Sequence, residues 1–141
     1  YSWGRDGDDP GPSEFLQDFQ WQGTRDMSSF LTIPRSIEFF IKHIQPLQLS
    51  CRQMIIELLA SFESVLGTRP ITIGDGWIGQ MVSHPLPSSV PRDLKDILWN
   101  EYRIEIPIFD WGGTSYIRSS IQVYNEKKDV ESLMNALDSI L

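Results

Sequence analysis

The sequence predicts a mixed α/β domain, a small and mainly antiparallel sheet with helices packed on one face, and three observations predict it. A broad apolar stripe at helical spacing fills the middle of the chain, two β-rich runs flank a Gly-Gly pair, and a second amphipathic stripe lies at the C-terminal end. With 141 residues the chain has room for one domain with a real core. Its 40% hydrophobic and 22% charged residues are ordinary for a soluble globular protein.

The elements follow in chain order. Residues 4–13 are rich in Gly, Asp and Pro and predict a connecting loop. Phe15–Trp21 has no clear period and is ambiguous, possible as an extended segment. Gly23-Thr24-Arg25-Asp26 is polar, and Ser28 or Ser29 is placed to cap a short turn or helix over 28–32. Pro34 suits a first helical turn, so a firmer helix is expected from Pro34 to His43, with Ile37, Phe40, Ile41 and Ile44 at helical spacing. A second helix is expected over Leu47–Leu66, closed by Gly67 in a left-handed position. Its apolar stripe is Met54, Ile55, Leu58, Leu59, Phe62 and Val65.

Ile71–Ile73 and Ile78–Val82 carry β-branched residues between glycines and are expected strands. The Pro/Ser stretch His84–Pro91 predicts a loop leading into a helix from Pro91 to about Tyr102. Ile104–Phe109 and Tyr116–Val123 are strand candidates joined at Asp110-Trp111-Gly112-Gly113, a hairpin signal. The final helix, about Glu126 to Leu141, turns Val130, Leu133, Met134, Leu137 and Ile140 inward. No internal repeat is present.

Charge and composition exclude several function classes. Nineteen acidic against 12 basic residues give a net charge of −7, and the basic residues are scattered, which argues against a nucleic-acid surface. The single cysteine, Cys51, cannot form an internal disulfide and fits a reducing compartment such as the cytoplasm. No apolar run approaches the roughly 20 residues of a membrane span. The N-terminal residues lack the basic and apolar regions of a signal peptide, and the chain begins without methionine, as a piece of something longer would. His43 and His84 lie far apart with no Cys or carboxylate at ligand spacing, so no metal site is expected. His43 suits a helix C-terminus, His84 a strand end beside Pro85, and Cys51 plain packing. No Ser-His-Asp arrangement or phosphate-binding glycine loop occurs.

Two stretches go further. WQGTRDMSSFLTIPRSIEFF (21–40) and IEIPIFDWGGTSYIRSSIQVYNEKKDVESLMNAL (104–137) resemble, in order and spacing, the C-terminal portion of class V aminotransferase-type pyridoxal-phosphate enzymes. The Gly-Thr-Arg-Asp form and Ile-Pro-Ile-Phe before the arginine strand are most similar to isopenicillin N epimerase-like and cysteine-desulfhydrase-like proteins. Ser2-Trp3-Gly4 looks like the end of a large-domain strand. The resemblance implies that residues 1–27 hold that strand end, a loop and the Gly-Thr segment, and that 28–141 form the small α+β domain of a fold type I enzyme.

The resemblance also implies roles. Thr24 matches the threonine that contacts the cofactor phosphate of the partner subunit, with Gly23 allowing close backbone approach. Arg118 matches the arginine that binds the substrate α-carboxylate, which its planar fork can meet with two hydrogen bonds. Alternation places Tyr116 and Arg118 on one strand face and Ile117 and Ser119 on the other. Plainer readings stand beside these: Thr24 as a turn or cap residue, Arg118 paired to a carboxylate on a solvated face. Asn125, before Glu-Lys-Lys-Asp, is expected to cap the last helix as a structural residue. Arg25 and Asp26 could line an active-site mouth or hold the loop, and Trp21 and Trp111 fit core packing or interface burial equally.

The departures matter more. Such enzymes need a lysine to carry the cofactor, yet Lys42, Lys95, Lys127 and Lys128 all fall on expected exposed helical positions. The aspartate for the pyridinium nitrogen and the stacking aromatic are also expected upstream of Tyr1. The chain alone is therefore expected not to catalyse. The resemblance implies a homodimeric cytoplasmic enzyme acting on an amino acid, by transamination, epimerisation or β-elimination. The alternatives are a non-catalytic oligomerisation or binding domain, or an unrelated α/β binding module.

Overall fold

A computed structural model describes Ser13, Phe15 and residues 24–71 and 74–141. Trp21, Gly23, most of the expected 4–13 loop and all but the first residue of Phe15–Trp21 lie outside the described residues. The chain divides into two units, Tyr1–Phe40 and Ile41–Leu141.

In the first unit, α1 (Ser28–Leu31) and α2 (Ile33–Phe39) follow one another. Neither Ser28 nor Ser29 caps α1; Met27 stands at the cap position without a side-chain bond. Ser28 is already inside the helix, so its N–H and hydroxyl donate to the Asp26 carboxylate at 2.9 and 2.8 Å. Pro34 does sit in the first turn of α2. The expected helix to His43 stays α-helical only to Phe39, then widens into a π-helical turn over Phe40–Ile44 and a 3₁₀ turn over Gln45–Leu47. Pro46 in that 3₁₀ turn has no N–H to return to the carbonyl four residues back, which ends the regular ladder.

The second unit begins its core with α3 (Gln48–Leu66). Gly67 closes it at φ 64°, its N–H donating to the Glu63 carbonyl at 3.1 Å. Cys51, Ile55, Leu58, Leu59, Phe62 and Leu66 are buried along one side; of the expected stripe Ile55, Leu58, Leu59 and Phe62 are buried, and Met54 and Val65 pack half-buried at its margin. Strand β1 is Met81–Pro85, displaced from the expected Ile78–Val82. Its register is set by pairing, because Val82 and His84 must face inward opposite Ser119 and Ile117. Ile71 is not in a strand. Helix α4 spans Leu94–Tyr102. It starts after Pro91 because tight turns, Val90 N–H to Pro87 and Leu94 N–H to Pro91, occupy the intervening residues.

Strands β2 (Ile108–Trp111) and β3 (Thr114–Ser120) form a two-residue hairpin at Gly112–Gly113. Both glycines have positive φ, 58° and 80°, which side-chain-bearing residues rarely adopt. β2 begins at Ile108 rather than Ile104 because Pro107 cannot donate to a ladder. The three strands form one antiparallel sheet in the order β1-β3-β2. Helix α5 (Lys127–Ile140) packs with α3, and both cover the sheet face that carries Val82, His84, Ile117 and Ser119. The opposite face, with Phe109, Trp111, Tyr116 and Arg118, lies largely open. This is the one-sided α+β arrangement the sequence predicts. Among the described residues no helix is long and apolar enough to cross a membrane.

Candidate functional site

β3 is the middle strand, so its alternation is fixed from both sides. Ile117 and Ser119 are buried toward the helices, while Arg118 and Ser120 are exposed and Tyr116 is half-buried on the other face. Tyr116 pairs with Phe109 across the hairpin, ring centroids 5.8 Å apart, and Trp111 lies 6.3 Å from Tyr116. Trp111 is 69% exposed, so it is not a core residue. Arg118 stands opposite Ser83 of β1, and its backbone N–H donates to the Pro107 carbonyl at 3.0 Å. Its backbone is thus pinned while its side chain is exposed. Among the described residues its guanidinium makes no ion pair, unlike Arg35, which pairs with Glu38, and Lys128, which pairs with Glu126.

A cavity of about 360 Å³ opens beside Arg118. Residues 104–107 run alongside the end of β3 without forming a strand, so the sheet edge past Arg118 has no strand against it. The apolar wall comes from Leu58 of α3, Ile104 and Ile106, and Val130 and Leu133 of α5; the polar lining includes Ser119, Asn125, Glu105 and Asp129. The Ser119 hydroxyl is buried and has no hydrogen-bond partner. The sequence alternation puts Ser119 on the face opposite Arg118, and the fold turns that face inward. The signal was available: a polar residue at an inward register between Ile117 and Ile121.

Asn125 does not cap α5. Its Oδ1 accepts from Gln122 N–H at 2.9 Å and its N–H donates to the Gln122 carbonyl at 2.9 Å, closing the turn before the helix. Glu126 is the cap, in a reciprocal box in which Asp129 accepts from the Glu126 N–H at 2.9 Å. Asn125 already has its oxygen committed one turn earlier, which leaves the cap to its neighbour.

Thr24 belongs to the first unit and Arg118 to the second. The Thr24 side chain is exposed and makes no hydrogen bond among the described residues. Its neighbours hold the loop: the Arg25 guanidinium lies 4.8 Å over the Phe30 ring. The N–H and hydroxyl of Ser28 hold the Asp26 carboxyl below its ordinary pKa. All four lysines are exposed on helical turns, as expected. Among the described residues no group of His, Cys, Asp and Glu could hold a metal.

His84 sits at the penultimate residue of β1 beside Pro85, as expected, but it is a core residue with no exposed surface. It lies 5.5 Å from the Phe62 ring. The Thr68 hydroxyl donates to the Pro85 carbonyl at 2.6 Å, so its proton is committed. His84 Nε2 must then be the donor, to Thr68 Oγ1 at 2.9 Å and the Thr68 carbonyl at 3.1 Å. Nδ1 is buried without a partner. Burial pushes the His84 pKa down, with the Thr68 carbonyl and the Glu63 charge opposing.

No family model matches the chain. Individual proteins do. An isopenicillin N epimerase of Amycolatopsis lactamdurans is 30% identical over 99% of this chain and 38% of its own length. A chloroplastic protein of Arabidopsis thaliana, named a probable L-cysteine desulfhydrase, is 30% identical over 86% of the chain and 29% of its own length. An L-cysteine desulfhydrase of the same plant is 26% identical over 86% of the chain and 32% of its own length. The chain spans about a third of the length of the curated relatives it matches. These relatives bear out the expected resemblance to class V aminotransferase-type enzymes. The chain is similar to a protein named isopenicillin N epimerase along 99% of its residues and to proteins named L-cysteine desulfhydrase along 86%.

Proposed function

We propose that this chain is the C-terminal small domain of a dimeric pyridoxal-phosphate-dependent enzyme acting on amino acids, in which Arg118 anchors the substrate α-carboxylate and Gly23–Thr24 contacts the cofactor phosphate across the dimer. The observation that carries the reading is Arg118 itself: a guanidinium on the central strand, pinned at its backbone, exposed, unpaired among the described residues and bordering a cavity. An arginine serving only the sheet surface would gain from a carboxylate partner, and this one has none there.

The residues present fit part of the cofactor. The Thr24 hydroxyl is exposed and uncommitted among the described residues, with Arg25 next in sequence, a set suited to a phosphate oxygen. The exposed helical lysines do not suit the group that carries the cofactor, so a large domain of the same polypeptide supplies that lysine and the ring contacts. When bound, pyridoxal phosphate supplies the electron sink for chemistry at the substrate Cα. Arg118 contributes orientation, fixing the carboxylate with two parallel hydrogen bonds so that Cα is presented in one geometry. The chain alone does not catalyse. A reducing compartment, the cytoplasm, suits its one buried thiol.

The test uses the full-length polypeptide that carries this chain. Arg118→Ala is expected to weaken amino-acid affinity by roughly 10- to 150-fold, the scale of hydrogen bonds to a charged group, while bound cofactor colour stays intact. Thr24→Ala is expected to do the reverse, loosening cofactor retention. Loss of cofactor in the arginine variant would overturn the assignment.

A second reading has its own observation. Phe30, Leu31, Ile33, Ile37, Phe39 and Phe40 of the first unit are 42–77% exposed, an apolar surface suited to assembly. It favours a non-catalytic oligomerisation domain if the native product is the chain alone. The intact mass of the native product decides: a species several times heavier than 16.2 kDa supports the enzyme, one near that mass the alternative.

A further inference from the structure

We propose, resting on Arg118 as the carboxylate anchor, that Ser83 is a second binding residue for the same group, its hydroxyl donating to the substrate carboxylate beside the guanidinium. The strand register carries this. Ser83 of β1 stands directly opposite Arg118 of β3, so both side chains leave the sheet on its open face. The Arg118 N–H is turned the other way, to the Pro107 carbonyl at 3.0 Å, so Arg118 and Ser83 exchange no backbone hydrogen bonds. In an antiparallel sheet such a pair brings its side chains closest together, with Cα atoms about 4.5 Å apart.

The other neighbours of Arg118 single Ser83 out. On the β2 side stands Pro107, which has no N–H to give. Diagonally on β1 are Met81 and Pro85, whose side chains donate nothing. Tyr116 and Ser120 lie two residues away along β3, about 6.6 Å up or down the strand. Ser83 is half-buried, and its hydroxyl makes no hydrogen bond among the described residues. Unlike the Ser119 hydroxyl on the helix-covered face, it remains open to a ligand. A carboxylate offers about four lone-pair sites, and a guanidinium fork fills one on each oxygen. A hydroxyl next to the fork fills a third. Held from two neighbouring strands, the carboxylate cannot swivel about the Arg118 side chain, and Cα is presented in one geometry.

L-Alanine and ethylamine differ by the carboxylate alone, so together they isolate this contact. The experiment titrates the full-length holoenzyme with each and follows the cofactor's visible absorbance. Wild type is expected to bind L-alanine more tightly than ethylamine. In Ser83→Ala the L-alanine affinity should fall about tenfold, the scale of one hydrogen bond to a charged group, with ethylamine unchanged. Ser83→Thr keeps the hydroxyl on a residue suited to a strand, and should hold L-alanine within about threefold of wild type. Neither change opens a cavity in the core, so both variants are expected to fold, and retained cofactor colour checks this. An L-alanine affinity untouched by Ser83→Ala overturns the proposal. So does an equal loss for ethylamine, which would give Ser83 a purely structural role. If wild type binds the two ligands alike, or Arg118→Ala leaves L-alanine binding as it was, the carboxylate-anchor reading fails, separately from anything Ser83 does.

Discussion

Two helices with the same kind of apolar period meet opposite fates in this chain. In α5, Leu133, Ala136 and Leu137 are buried against α3 and the sheet, with Val130, Met134 and Ile140 packed at the margin. In α2 no residue is buried, and Ile33, Ile37 and Phe39 are 49–59% exposed. Periodicity reports that a helix has an apolar face; it does not report what that face meets. The stripe of α5 finds its cover among the described residues, whereas Ile33 and Ile37 of α2 stay about half exposed. A helix that presents an uncovered stripe gains little from tertiary packing, the main source of helix stability in water.

The largest expected effect breaks the comparison directly. Leu137, with no exposed surface, should cost about 2–5 kcal/mol when changed to alanine, through lost burial and the cavity left behind. Ile37→Ala should change stability by no more than about 0.5 kcal/mol, since the side chain is already half in water and alanine favours the helix. Urea unfolding of both variants checks the pair. Comparable losses would mean that α2 buries its stripe in solution and that the contrast is false.

This contrast also shows which parts of the fold the sequence could disclose. Elements defined by long periods or by special backbone geometry were legible: the α3 stripe, the left-handed Gly67, the Gly112–Gly113 turn and the inner face of α5. Boundaries set by tertiary competition were not. β1 shifted toward His84 because pairing with β3 decides its register, and the helix after Pro34 changed its winding ahead of Pro46. At the site, alternation correctly put Arg118 and Ser119 on opposite faces. That the two still line one cavity was not legible, because it depends on β2 starting only at Ile108, which leaves the β2 side of β3 without a strand beside residues 118–120. The core role of His84 was hidden for a related reason, as its partner Thr68 lies 16 residues away on a loop.

His84 sharpens the comparison, because acid should attack the core unit through it and leave α2 without a comparable trigger. The fold holds His84 neutral, with Nε2–H donating and Nδ1 unpartnered, and burial depresses its pKa. Above the ordinary imidazole value of about 6.5, both folded and unfolded chains carry it neutral and its contribution to stability is fully present. As pH falls below that value the unfolded chain takes up a proton that the folded chain refuses. Stability therefore declines toward pH 5, by at most about 1.4 kcal/mol per pH unit for one such group. The Glu63 charge works against this by favouring the imidazolium, and keeps the decline below the limit. Denaturation midpoints between pH 8 and pH 5 check the slope, with a His84→Gln variant expected to flatten it. An unchanged slope in that variant would assign the acid sensitivity to other groups.

The smallest effect asks what holds α5 in place, its packing or its cap. Asp129 reaches back to the Glu126 N–H at 2.9 Å while Glu126 accepts from the third helical residue, a box that satisfies two donors at the exposed helix start. Asp129→Ala removes one of those bonds and a negative charge from the positive end of the helix dipole, together worth about 1 kcal/mol. That is well below the cost expected at Leu137, so α5 should remain folded in the variant, with fraying confined to its first turn. Amide exchange resolves the point residue by residue. Faster exchange at residues 127–130 with Leu133–Leu137 still protected would show that the buried stripe holds the helix. Loss of protection along its whole length would make the cap, and not the stripe, the feature that separates α5 from α2.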